Sequence, residues 1–79
     1  MLELSTKWGD FLREQHETGM GYWVVSVVLR NGRRFDRAVI IDSGHLTQIF
    51  GLADIPFEEK DIAELVVTHD KWDFGARAQ

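Results

Sequence analysis

Tyr22-Trp23-Val24-Val25-Ser26-Val27-Val28-Leu29-Arg30 is a run of β-branched and aromatic side chains that continues through Asn31-Gly32 into Arg33-Arg34-Phe35-Asp36-Arg37-Ala38-Val39-Ile40-Ile41-Asp42. Such composition favours a pleated, packed surface, so both flanks of Asn31-Gly32 are read as strands. Asn-Gly suits a type I′ turn, whose two central residues need positive φ, and predicts an antiparallel hairpin. A two-residue turn pairs Arg30 with Arg33, Val28 with Phe35, Val24 with Val39 and Tyr22 with Ile41. One face then carries Tyr22, Val24, Val28, Phe35, Val39 and Ile41. The other carries Trp23, Val25, Val27, Leu29, Ala38 and Ile40, interrupted by Arg34 and Asp36. Both faces are largely apolar, whereas a hairpin with one wet face alternates more cleanly. The second face therefore calls for a cover: a helix, another barrel wall or a second subunit.

Before the hairpin, Leu4, Trp8, Phe11 and Leu12 fall at i, i+4, i+7 and i+8, one apolar stripe of a helix over about residues 5–16. Ser5 or Thr6 is placed to cap it, and Gly9 within it costs about 1 kcal/mol against alanine. After the hairpin, Asp42-Ser43-Gly44-His45 is a turn and Leu46 to Phe50 a third strand. Ile55 before Pro56 is extended. Glu58 to Asp61 reads as one helical turn, and Glu64 to His69 as a last strand. The β-rich body covers about 22–69, and residues 70–79 form a tail carrying Trp72 and Phe74.

Seventy-nine residues at 9.1 kDa hold one core, hence one domain over 1–79. With no cysteine there are no disulfides, thiolate metal sites or Cys nucleophiles. A net charge of −4 disfavours nucleic acid as the partner. The apolar stretches fall far short of the roughly 18 residues of a membrane span, and no basic-then-apolar signal opens the chain, so the expectation is a cytoplasmic protein without membrane contact.

The order helix, bent meander, helical turn, final strand is that of small SH3-like barrels. Val24 to Phe50, with Leu29-Arg30-Asn31-Gly32-Arg33-Arg34-Phe35 at its centre and acidic Asp42 at its end, resembles the first half of an Sm-like domain. Where that family has a glycine in its second strand, this chain has Asp36-Arg37. Where it has an asparagine after the acidic residue, His45 is nearest. The resemblance implies a mainly β fold: a small, bent, antiparallel SH3-like or Sm-like barrel with an N-terminal α-helix. An open antiparallel sheet with the helix on one face is the other arrangement compatible with the pattern.

Four of the nine cationic residues, Arg30, Arg33, Arg34 and Arg37, cluster around the turn, where guanidinium forks suit phosphates or carboxylates. Asp54, Glu58, Glu59, Asp61 and Glu64 form an acidic counterpart, and opposite patches meeting between subunits give head-to-tail contacts that close into rings. Trp23 and Trp72, with Glu58, Glu59 and Asp61, are the interface candidates. Asp42, His45 and His69 carry ligand chemistry without a metal-binding spacing, so no metal and no cofactor are assigned. Asp42, Ser43 and His45 include the residue types of a hydrolytic triad, but neighbours in one turn do not form its relay, and no P-loop or nucleophile elbow is present. The sequence thus points away from an enzyme. It points to a protein-interaction or assembly module, a homo-oligomer, with RNA or single-stranded nucleic acid on the arginine hairpin as the alternative.

Overall fold

The computed structural model describes residues 2–70. Its order is β1 (Leu2–Glu3), α1 (Thr6–Arg13), β2 (Tyr22–Leu29), β3 (Arg34–Ile41), β4 (His45–Ile49), a 3₁₀ turn (Glu59–Asp61) and β5 (Ile62–Val67). The five strands form one antiparallel sheet in the order β1-β4-β3-β2-β5, curled into a half-barrel. β1 is an addition to the sequence reading: two residues, too short to show alternation, pair with His45 and Leu46. β5 begins two residues earlier than its sequence signal, at Ile62, beside Leu29.

The hairpin keeps its predicted pairing at the far end (Tyr22–Ile41, Val24–Val39) and slips by one near the tip, where Val27 meets Phe35 and Val28 meets Arg34. The cause is the turn. Leu29 N–H donates to Arg33 O (2.8 Å) and Gly32 N–H to Leu29 O (2.9 Å), while of the turn residues Gly32 alone has positive φ, +92°. This is a three-residue loop with a left-handed glycine, not the two-residue type I′ turn that Asn-Gly favours. Asn31 accepts the Arg33 N–H on its Oδ1 at 3.0 Å, holding the loop from within. The extra loop residue shifts register by one, and a bulge at Asp36-Arg37 opposite Ser26 shifts it back, with Arg37 at φ 55°. Arg37 thus takes a left-handed conformation in the stretch where the resembled family has its glycine.

That bulge corrects the assignment of faces. Phe35 joins Val25 and Val27 on the core side, and Arg34 and Asp36 leave it. The same device recurs. The register also slips between Val39 and Ile40 against β4, and between Val28 and Leu29 against β5. On three strands the core-facing residues are therefore spaced by three at the slip: Phe35 and Ala38, Leu46 and Ile49, Ile62 and Leu65. A bulge strengthens local twist, and one on each of three strands bends a flat meander into a half-barrel.

The concave face holds the core: Trp23, Val25, Val27 and Leu29 of β2, with Ala38, Ile40, Leu46, Ile49, Ile62 and Leu65 from its neighbours. Helix α1 packs onto it through Trp8 and Leu12, and Phe57 reaches it from the connection between β4 and β5. The helix is shorter than the stripe suggested. After Arg13 the chain tightens, with Glu14 N–H bonded to Phe11 O and Gln15 N–H to Leu12 O, both i→i−3. On the opposite face Val24 and Val39 are fully buried within a single copy, while Tyr22, Val28 and Ile41 are half-buried.

A type I′ geometry does occur, one turn later. Asp42 and Ser43 both have φ 53°, and Gly44 N–H donates to Ile41 O at 3.1 Å. Left-handed backbone costs an ordinary L-residue about 1–2 kcal/mol, and aspartate tolerates it better than serine. Ser43→Gly removes that strain and loses one exposed bond, from Arg13 Nη1 to Ser43 Oγ. With the larger chain entropy of glycine set against it, the variant gains about 0.5 kcal/mol. Thermal unfolding should show a midpoint raised by about 3 °C.

Candidate functional site

The tip of the β2–β3 hairpin is latched to the 3₁₀ turn. Arg30 donates its backbone N–H to Asp61 O and its Nε to Lys60 O, both at 2.9 Å. Arg33 lies over the Phe35 ring, 5.1 Å from its centroid, and Phe35 in turn tilts against Phe57 at 5.3 Å. Between the hairpin tip and the Pro56-Phe57 segment is an open cavity of about 230 Å³. Arg30, Asn31, Arg33 and Asp61 supply its polar wall, and Leu29, Pro56 and Phe57 its apolar one.

The other two arginines of the cluster are elsewhere. Arg34 faces away from the core and pairs with Asp36, Nε to Oδ1 at 2.8 Å. Its Nη2 donates to Ser26 Oγ at 3.2 Å, and the Ser26 hydroxyl donates to Asp36 Oδ1 at 2.6 Å. The Ser26 hydroxyl, helped by Arg34, holds the Asp36 carboxyl below the ordinary carboxylate range, and Asp36 raises Arg34 in return. Ser26, almost fully buried, is thus satisfied by a closed triad that the sequence reading did not find. The signal was a serine between four valines, opposite a strand carrying Arg-x-Asp. Arg37 stacks over Phe50 at 5.1 Å. The four arginines therefore do not form one basic surface: Arg34 is paired, Arg37 belongs to the Phe50 side, and only Arg30 and Arg33 share the cavity.

The acidic interface candidates carry intramolecular bonds. Glu58 and Asp61 cap the 3₁₀ turn reciprocally, with Glu58 N–H donating to Asp61 Oδ2 at 2.9 Å. Glu59 reaches the start of α1 and accepts the Ser5 N–H on Oε2 at 3.2 Å. Helix α1 has no side-chain cap of its own and no acid in its first turn, so Glu59 supplies both from 54 residues away. Ser5, through its side chain and its backbone, with Lys7 and Trp8 in support, keeps the Glu59 carboxyl below its ordinary range. A depressed pKa in the folded chain stabilises it above the unfolded value, and that contribution is lost as pH falls through the carboxylate range. The melting-temperature difference between the wild type and Glu59→Gln is therefore positive at neutral pH and shrinks in acid, as melting curves across pH will read.

Trp23, an interface candidate by sequence, is 5% exposed and packed inside the core, with Nε1 donating to Gln15 O at 3.4 Å. The slip in register does not reach it, so it keeps the core parity of Val25. Trp72 lies outside the described residues. Among the described residues no group of three or more His, Asp or Glu side chains is placed to hold a metal. His45 is 4.0 Å from Glu3, and His69 Nδ1 is 3.0 Å from Thr18 Oγ1. Ser43 Oγ accepts from Arg13 Nη1 at 3.3 Å. Among the described residues no helix is long and apolar enough to cross a membrane. Compared with protein-family models, with curated proteins and with solved structures, the chain matches none.

Proposed function

We propose that the protein is a non-enzymatic interaction and assembly module, a small barrel of the SH3-like or Sm-like type, that associates with further copies of itself along the open edges of its sheet. The observation that carries this is the unclosed half-barrel. Among the described residues β5 pairs only with β2, and β1 covers only His45 and Leu46 of β4, leaving Gln48 and Ile49 with a strand partner on one side alone. Unpaired strand edges present rows of N–H and C=O groups that template strand addition. The two edges differ, so a contact between β4 of one copy and β5 of the next is heterologous, the kind that generates a ring where its rotation closes.

The nucleic-acid reading has less support, because the arginines that motivated it point to different surfaces and one is neutralised. Absolute mass by light scattering across concentration tests the assembly reading. A discrete multiple of 9.1 kDa is the expected result. A constant 9.1 kDa at every concentration contradicts self-association.

A further inference from the structure

The cavity at the hairpin tip has a specific chemistry. Its cations are held in place before any ligand arrives: Arg30 by its Nε bond to the Lys60 carbonyl, and Arg33 by stacking on Phe35. Asn31 spends its carbonyl oxygen on the Arg33 N–H, which leaves its amide N–H₂ as donor. Asp61 is the one acidic side chain on the wall, and its Oδ2 already accepts from Glu58 N–H. Among the described residues neither Arg30 nor Arg33 has an ion-pair partner. The polar wall is thus rich in oriented donors, and the remaining wall of Leu29, Pro56 and Phe57 is apolar.

We infer that this groove binds an extended acidic peptide, taking one carboxylate side chain between Arg30 and Arg33 and an adjacent apolar side chain against Pro56 and Phe57. Guanidinium forks match a carboxylate with paired N–H donors, and preoriented donors lose little freedom on binding. The volume, about 230 Å³, is below the roughly 300 Å³ at which small-molecule sites begin, so it suits one or two side chains and not a whole cofactor. Asp61 selects among anions. Two cations against one carboxylate leave a single net positive charge on the wall, which fits a monoanion and disfavours a phosphate dianion. The groove is complete within one copy, so the inference does not depend on the sheet-edge contact.

The test is an amide NMR titration with three short capped peptides, acetyl-Leu-Glu-Phe-amide, its Gln counterpart and its phosphoserine counterpart. The Glu peptide should shift Gly32, Arg33, Phe57 and the Asn31 side-chain amide saturably. The Gln peptide should bind at least about tenfold more weakly, the scale of a lost charge-assisted pair. Arg33→Glu should abolish the shifts, while Arg37→Glu, on the Phe50 side, should retain them. Equal binding of the Glu and Gln peptides overturns the proposal on the unmodified chain, whatever the fate of the variants. Tighter binding of the phosphoserine peptide, or of a single-stranded oligonucleotide at the same resonances, overturns it as well and reassigns the groove to phosphate.

Discussion

Replacing Leu12 by alanine should destabilise the protein by about 3 kcal/mol, within the roughly 2–5 kcal/mol of buried leucine truncations. Leu12 has no exposed surface and, with Trp8, fastens α1 to the concave face of the sheet. The helix depends on this packing for its stability. Eight residues are too few for an isolated helix in water, and its N-terminus borrows its cap from Glu59. A cavity at Leu12 therefore loosens the helix that, together with Phe57, covers the core. A chain of 79 residues holds only about 4–12 kcal/mol in total, so the variant sits close to the unfolding threshold. Its melting midpoint should fall by about 15 °C, read by circular dichroism. A fall of only a few degrees would mean that α1 rides on the sheet without sealing it.

The second large effect runs against helix propensity. Gly9 is inside α1, where alanine is ordinarily worth about 1 kcal/mol more than glycine. Gly9 is nevertheless buried, and a Cβ placed there would lie 2.9 Å from the Ser43 carbonyl oxygen. That oxygen is backbone in the Asp42-Ser43 turn, already in the left-handed region and tied by Gly44 N–H to Ile41 O. Neither helix nor turn can yield without disturbing the other. Overpacking of this kind costs about 1–3 kcal/mol, which outweighs the propensity gain. Gly9→Ala should accordingly be less stable than the wild type, by about 1 kcal/mol in denaturant titration. A more stable variant would show that the turn moves aside freely.

Much of this architecture was written in local composition. The run Tyr22 to Arg30 and its return strand appear where β-branched residues place them, and the stripe of Trp8 and Leu12 marks the buried face of α1. What simple alternation hid was the bulges. Strict period-two reading carried Phe35 to the wrong face, because nothing in Asn31-Gly32 says whether the loop takes two residues or three. A pattern was nonetheless present: Phe35-Asp36-Arg37-Ala38, Leu46-Thr47-Gln48-Ile49 and Ile62-Ala63-Glu64-Leu65 each set two core residues around a pair turned outward. Three such quartets mark three bulges, and with them the curl of the sheet.

The candidate site was less legible. Arginine count flagged the hairpin, but counting charges does not distinguish Arg34, whose partner Asp36 is two residues away, from Arg33, whose neighbour is an aromatic ring. Glu59 looked like one more surface acid in a charged run. Its role as the cap of a helix 54 residues earlier depends on a tertiary approach that no local pattern encodes.

Amide hydrogen exchange, resolved by residue and followed at low and high protein concentration, tests most directly whether the open sheet edges are the assembly surface. The β5 amides of residues 62–67 that do not bond to β2, and those of residues 48–49 on the outer side of β4, should exchange freely when dilute. They should become protected together as concentration rises, with the β2 and β3 amides protected throughout. Edge amides that exchange equally fast at every concentration, while the mass increases, would contradict edge-to-edge assembly and place the contact on another surface.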